Sequence, residues 1–340
     1  MELIHADASF HEKGVVDFLR FDAMISLTPD IDRNDWEMQI PAEELGRYGL
    51  ALGDYLYVPY TEWGGRVERF VHLSDKGIVK VGGVSWRGML LRKVMEPPAG
   101  QTHRVFLSCT VAEIIDAMLQ SFGGVFVRQN GRNALEIADQ NTVCEEKKYR
   151  YQSVFEAVTA LLDEMGDRLE LMLDPERRCM LLYICKAADR SDQLEFSGDY
   201  DLPYTSTKAA ARINHLIALG RGEMENRVVR HFYLLPNGSI TENSAQEGVA
   251  VGVDERTTVY DYPNYENESE LVRCAKNYLR KYGVQDEIEF QFDAVNLDLP
   301  LGDRVGIRDR LTGMAAVKTI TEKLLTVSPD DGTRLKYSVG

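Results

Sequence analysis

Most of the side chains able to do chemistry here are acids: 54 Asp and Glu stand against 39 Lys and Arg, a formal charge of −15. Asp30, Asp32 and Asn34 alternate as calcium-loop ligands do, but the sixth and twelfth positions, where that loop needs glycine and a bidentate glutamate, hold Asp35 and Pro41. An acidic turn is expected there instead. Ser85 lies in GGVSWRG, where Arg87 replaces the second glycine of a GxSxG elbow, and the alternating context reads as a strand without a strand-to-helix turn. His11-Glu12 has no second histidine four residues on, so the zinc-protease helix is missing. The carboxylate pairs Asp54/Glu68 and Asp303/Glu322 are of the type that cleaves glycosidic bonds when held at the right separation. In so acidic a chain, solvated strand ends and turn caps are the stronger reading. No catalytic, cofactor-binding or metal-binding residue is assigned, and no cofactor is expected.

Five cysteines, at 109, 144, 179, 185 and 274, form an odd set without CxxC spacing, which reads as free buried thiols. Cys179 and Cys185 share one face of a strand but lie too far apart along it to bridge. Trp36, Trp63 and Trp86 all fall in the first β region, with Tyr55, Tyr57 and Tyr60 nearby. They are candidate sugar-binding or interface aromatics, against the commoner fate of core burial.

The elements that must position these residues come in three blocks. With 340 residues and 44% hydrophobic content, two or three globular domains are expected. The start MELIHADASF lacks a basic, apolar leader and the longest apolar run is Cys179 to Cys185, so neither a secretion signal nor a membrane span is expected. The acidic balance opposes tight nonspecific attraction to a nucleic-acid backbone or an anionic membrane, and no specific nucleic-acid binding is expected. Residues 1–102 read as short strands, among them 36–40, 55–58, 66–72 and 78–81. Residues 103–190 carry two helices with capping-box spacing, Thr110-Val-Ala-Glu113 and Ser153-Val-Phe-Glu156, followed by strands, a small α/β domain. Residues 191–340 return to strands with one helix whose apolar face runs from Leu271 to Tyr282, and 191–230 is open to assignment to the first block instead. Leu52-Gly53-Asp54 returns as Leu301-Gly302-Asp303, and each copy opens a strand, a turn and a returning strand. Two related β units in one chain suggest duplicated barrels or sandwiches.

NDWEMQIP, GGRVERF, GGVSWRGMLLRKV, SVFEAVTALLDEMG, FSGDYDLPYTSTKAAARINHLIALGRGE and LGDRVGIRDRLTGMAAVKTITEK, taken in that order and spacing, give the chain a resemblance to the siphovirus ReqiPepy-type tail protein family, the baseplate hub or tail-associated proteins of long-tailed phages and prophages, over essentially its whole length. That resemblance implies an α+β, β-rich fold: two related hub-type β-barrel domains, 1–102 and 191–340, with the α/β domain 103–190 inserted between them. It implies a non-enzymatic structural protein, a homotrimeric hub whose two barrels per subunit make a pseudo-sixfold ring between the sixfold tail tube and the threefold tip. The partners it implies are a distal tail or tail tube protein, a tail fibre or tip protein and the tape-measure protein. Its place is the virion tail, after assembly in the bacterial cytoplasm. Carbohydrate binding or cell-wall degradation at the tail tip is the alternative.

Overall fold

In the stretch Asp35–Pro41, alternate side chains separate cleanly: Trp36, Met38 and Ile40 are buried while Asp35, Glu37 and Gln39 turn outward. The structure, a computed structural model, describes residues 1–132, 136–197, 204–207, 211–265, 267–283, 287–293, 298–330 and 332–340. The chain divides into two compact units, Met1–Tyr204 with Phe290–Gly340, and Thr205–Glu289.

The first unit opens with strands β1 (Leu3–Ala6), β2 (Glu12–Val16), β3 (Arg20–Ser26) and β4 (Asp35–Pro41), a short helix α1 (Leu45–Tyr48), then β5 (Tyr55–Tyr57), β6 (Gly64–Arg66), β7 (Arg69–Leu73), β8 (Ile78–Val84) and helix α2 (Trp86–Leu91). Next come β9 (Arg104–Thr110), α3 (Val111–Leu119), β10 (Phe126–Asn130), β11 (Val143–Tyr149), α4 (Val154–Met165), β12 (Asp167–Asp174), β13 (Cys179–Lys186), β14 (Glu195–Ser197) and β15 (Tyr204–Thr207), in which the chain passes from the first unit into the second at Thr205. The second unit holds β16 (His215–Leu219), β17 (Val229–Leu234), β18 (Ile240–Thr241), β19 (Thr257–Asp261) and α5 (Glu268–Gly283). The chain closes with β20 (Glu287–Asp293), β21 (Arg304–Asp309), β22 (Met314–Ser328) and β23 (Gly332–Val339).

The main sheet runs in the order β15, β20, β23, β22, β3, β4, β8, β7, with β21 and β14 branching from β22. A smaller sheet runs β2, β1, β5, β6. Phe21, Trp36, Met38, Val79, Val81 and Leu325 fill the core between the strands of both, with Leu56 and Val67 from the smaller sheet side. Among the described residues no sheet closes on itself, so the barrels expected from the sequence are open sheets in the single chain.

In the α/β block both capping boxes form. The Thr110 and Ser153 hydroxyls accept from the Glu113 and Glu156 amides, and each glutamate accepts from its cap residue in return. Gly123 and Gly166 end the two helical stretches in the left-handed conformation. α3 buries Ile114, Ile115 and Met118, and α4 buries Phe155, Val158, Leu161 and Leu162, against the sheet of β10, β13 and β12. Each such side chain contributes roughly 1.5–3 kcal/mol.

The second unit is a four-stranded sheet, β18-β17-β16-β19, with α5 on one face. Leu216, Ala218, Phe232 and Leu234 meet Leu271, Ala275 and Leu279 there. α5 starts a turn earlier than its apolar face alone predicts and takes in Gly283. The sequence expectation of one strand over 66–72 also gives way: β6 and β7 are separated at Val67–Glu68, where the chain leaves the small sheet for the large one. The hairpin turn expected at Asp331-Gly332 includes Asp331, which lies outside the described residues.

If the capping boxes set the helix starts, Thr110→Ala and Ser153→Ala should each cost about 1 kcal/mol in urea unfolding. A loss below a few tenths at both sites would show that packing alone holds these helices.

Candidate functional site

The two Leu-Gly-Asp segments form the same backbone structure. Gly53 and Gly302 both sit at φ +95°, a conformation that favours glycine. In the first copy the Gly53 amide donates to Val67 O (2.8 Å) and the Val67 amide donates to Asp54 O (2.7 Å). In the second copy Gly302 donates to Ile320 O (2.9 Å) and Ile320 donates to Asp303 O (2.9 Å). The following strands pair alike, Tyr55 opposite Arg66 and Arg304 opposite Thr319. Past the clamped residue the returning strand enters the main sheet, as β7 beside β8 in one copy and as the second half of β22 beside β23 in the other.

The sheet order therefore reads as one set of four strands used twice. β4, β8 and β7 in the first half correspond to β20, β23 and β22 in the second, with the same antiparallel neighbours. β3 and β15 hold matching places beside β4 and β20. β22 joins the halves by pairing with β3, from Glu322 opposite Ser26 to Val327 opposite Phe21. The other end of the path, β7, pairs with β8 and is an edge of the sheet.

The halves differ in what holds their aspartates. The Asp54 carboxylate accepts from the Ala51 amide (2.9 Å) and lies 2.8 Å from His5 Nε2. Asp303, fully buried, accepts from Arg190 Nε (2.7 Å) and the Ala188 amide (3.0 Å), and forms an ion pair with the Arg168 guanidinium, whose Nε lies 2.7 Å away. The neighbouring strand also runs differently, β1 antiparallel to β5 and β14 parallel to β21. Arg168 projects from β12, so the α/β block is tied to the second turn by a buried ion pair.

A second buried pair ties that block to the first half. Arg87, 1% exposed, donates to Glu62 through Nε and Nη2 and to Leu169 O (3.0 Å) through Nη2. Burial raises the Glu62 carboxyl above its ordinary value, although the Arg87 charge pulls the other way. Next to it the Tyr60 amide donates to Leu173 O and the Leu173 amide to Thr61 O. A cavity of about 260 Å³ lies here, lined by Glu62, Trp63, Arg87, Glu170, Asp298 and Lys323 among others.

The three tryptophans are dispersed. Trp36, 1% exposed, donates to Val84 O (3.2 Å), and Trp86, 0% exposed, stacks with Tyr55 and Phe10. Neither presents a ring face to a ligand. Trp63 is half-buried at the cavity. Glu68 pairs with Arg92, and Glu322 with Arg33. Each carboxylate of the two sequence pairs thus has a structural partner of its own.

Ser85 corrects one expectation: it does stand at a strand-to-helix turn, between β8 and α2, and its hydroxyl accepts from the Gly88 amide as a helix cap. At 1% exposure it has no path to a substrate. Asn34 is equally spent, accepting from the Ser26 amide and donating to Thr28 O and Asp30 O. Glu136, Glu170 and Cys185 have ligand atoms within 4.8 Å of one another, and the Arg168 guanidinium lies against both glutamates. Burial also pushes the Cys185 thiol up to about 11.

Two substitution series test this arrangement. Gly302→Ala should destabilise more than Gly53→Ala, by about 1 kcal/mol or more, because an added Cβ at 302 comes 2.9 Å from Arg168 Cβ while at 53 it meets only the exposed Arg66 tip at 3.2 Å. Equal losses would contradict the clamped role of Arg168. Glu62→Gln should cost roughly 3–5 kcal/mol by leaving Arg87 buried without its counter-charge, read from chemical denaturation.

No protein-family model matches the sequence, and no curated protein matches it. Solved structures do. The 43 kDa tail protein of prophage MuSo2 from Shewanella oneidensis is similar at a TM-score of 0.60 and 12% identity, over 100% of this chain and 98% of that one. A tail protein from Neisseria meningitidis is similar at 0.55 and 14%, over 99% and 95%. A chain of the p2 virion baseplate in its activated conformation is similar at 0.51 and 11%, over 99% and 98%. At these identities the likeness is one of fold, and it spans the whole length of this chain.

Proposed function

We propose that this chain is a structural ring subunit of a phage or prophage tail, a baseplate hub of the ReqiPepy type. The observation that carries the proposal is the doubled four-strand set with an open end at β7. Inside the chain the two halves join by β22 pairing with β3. By correspondence, β7 of one copy pairs with β15 of the next. Repeating that step with closure gives a ring, and three copies supply six nearly equivalent sheet units. Such a ring can face a sixfold tube on one side while its subunits keep threefold symmetry on the other. The barrels expected from the sequence would then be completed between copies. The tail and baseplate identity of structures with this fold supports the reading.

On this reading the neighbours are a distal tail or tube protein, a fibre or tip protein and the tape-measure protein, and the particle is assembled in the bacterial cytoplasm. The role is non-enzymatic, supported by the structural pairing of Asp54, Glu68, Asp303 and Glu322. The purified chain should leave a peptidoglycan zymogram uncleared.

Light scattering of concentrated protein, or of the complex with its tail neighbours, should give about 116 kDa per ring, three times the 38.5 kDa chain. Val71, 42% exposed on β7, is the place to block closure. Val71→Lys should return the mass to that of one chain, since edge lysines prevent strand pairing. A closed dimer, or rings unaffected by Val71→Lys, would sink the β7 assignment.

A further inference from the structure

Cys109 and Cys144 stand directly opposite each other where β9 pairs antiparallel with β11. The register is unbroken around them, with Val143 facing Thr110 on one side and Glu146 facing Leu107 on the other. Opposed residues of such a ladder have Cα atoms about 4.5–5.5 Å apart, inside the roughly 4.4–6.8 Å that a disulfide accepts. Their side chains also share one face of the ribbon. Cys144, 5% exposed, belongs to the core that α3 and α4 fill, and the half-buried Cys109 packs against that core.

Both thiols are free. The Cys109 thiol donates to Leu107 O (3.4 Å) along its own strand, so reaching Cys144 calls for a side-chain rotation and no change of register. The other three cysteines are placed differently. Cys179 and Cys185 face Asp174 and Arg168 on β12, and Cys274 lies in α5 of the second unit.

We propose that Cys109 and Cys144 are a cross-strand disulfide site, open in reducing surroundings and closed by an external disulfide such as oxidised glutathione. Cys109 loses its proton and attacks one glutathione sulfur, and the other glutathione leaves as a thiolate. Cys144, deprotonated in turn, attacks the Cys109 sulfur of the mixed disulfide and releases the second glutathione. Two protein thiols become one disulfide, one glutathione disulfide becomes two thiols, and the two protons pass to the departing thiolates. The bond closes 110–143, the stretch with α3 and β10, into a loop of about 34 residues, and restricting the unfolded chain in this way stabilises the fold. The inference does not rest on the ring, and its failure would leave the trimer mass unchanged.

The test is to hold the folded full chain in excess oxidised glutathione, then unfold it, block the remaining thiols and map the peptides. Two of the five thiols should be lost, with Cys109 joined to Cys144, and dithiothreitol should restore all five. Cys144→Ala should stop the reaction at a glutathione adduct on Cys109, while Cys109→Ala should leave the buried Cys144 unreacted. The oxidised wild type should melt about 4 °C or more above the reduced form. Five surviving thiols, a glutathione adduct persisting on Cys109 of the wild type, a cross-link through other cysteines, or an oxidised form melting no higher would overturn the proposal.

Discussion

Two hydrogen bonds to a single residue, Val67 in one half and Ile320 in the other, decide where a strand leaves one sheet and enters another. Without that clamp the returning strand would be free to slip in register, and a one-residue slip would turn its buried side chains to solvent. Glycine is required because the clamp needs φ near +95°, and the following aspartate supplies the carbonyl that receives the bond. Everything outward from there follows: the hairpin of β5 with β6, or β21 with β22, on one side, and the main sheet on the other.

The duplication was legible in three letters and a strand pattern because the turn is local chemistry. Capping boxes, helix stops and the alternation of 36–40 were legible for the same reason. What the sequence could not show is partnership across distance. Arg168 and Arg190 are unremarkable as letters, and only the fold brings them to Asp303. For Trp36 and Trp86, sugar binding, interface and core burial all stayed open, because a strand pattern tells which residues share a face but not which face is covered. Ser85 was misplaced since α2, six residues long, is too short to impose a helical period on GGVSWRGML.

The two halves share a backbone and differ in electrostatics, and the difference has a physical cause. Asp54, 7% exposed, has a histidine and a backbone amide as partners, a modest charge balance. Asp303 is fully buried where the α/β block meets the second half, so it needs two guanidinium groups to offset desolvation. Evolution of one duplicated unit into two could thus keep the clamp and change its surroundings.

On the proposed ring, that asymmetry matters, because a ring subunit would present two alike faces and still be one chain. On the face of the main sheet away from the core, Arg69 lies near Asp35 and Glu37, Lys80 pairs with Glu37, and Arg20 with Asp22. These pairs, the last along β3 and the others across strands, cancel locally, so the −15 of the chain is carried elsewhere. A ring built on this sheet would show a face of alternating sign, wet and without a strong field, against which neither DNA nor an extended protein would be held by net charge. Opposite charges laid side by side also discourage two such faces from stacking in the wrong register, because a shift by one strand sets like against like. Specificity of closure is then left to the backbone groups of the edge, the part of the molecule that the duplication copies most faithfully.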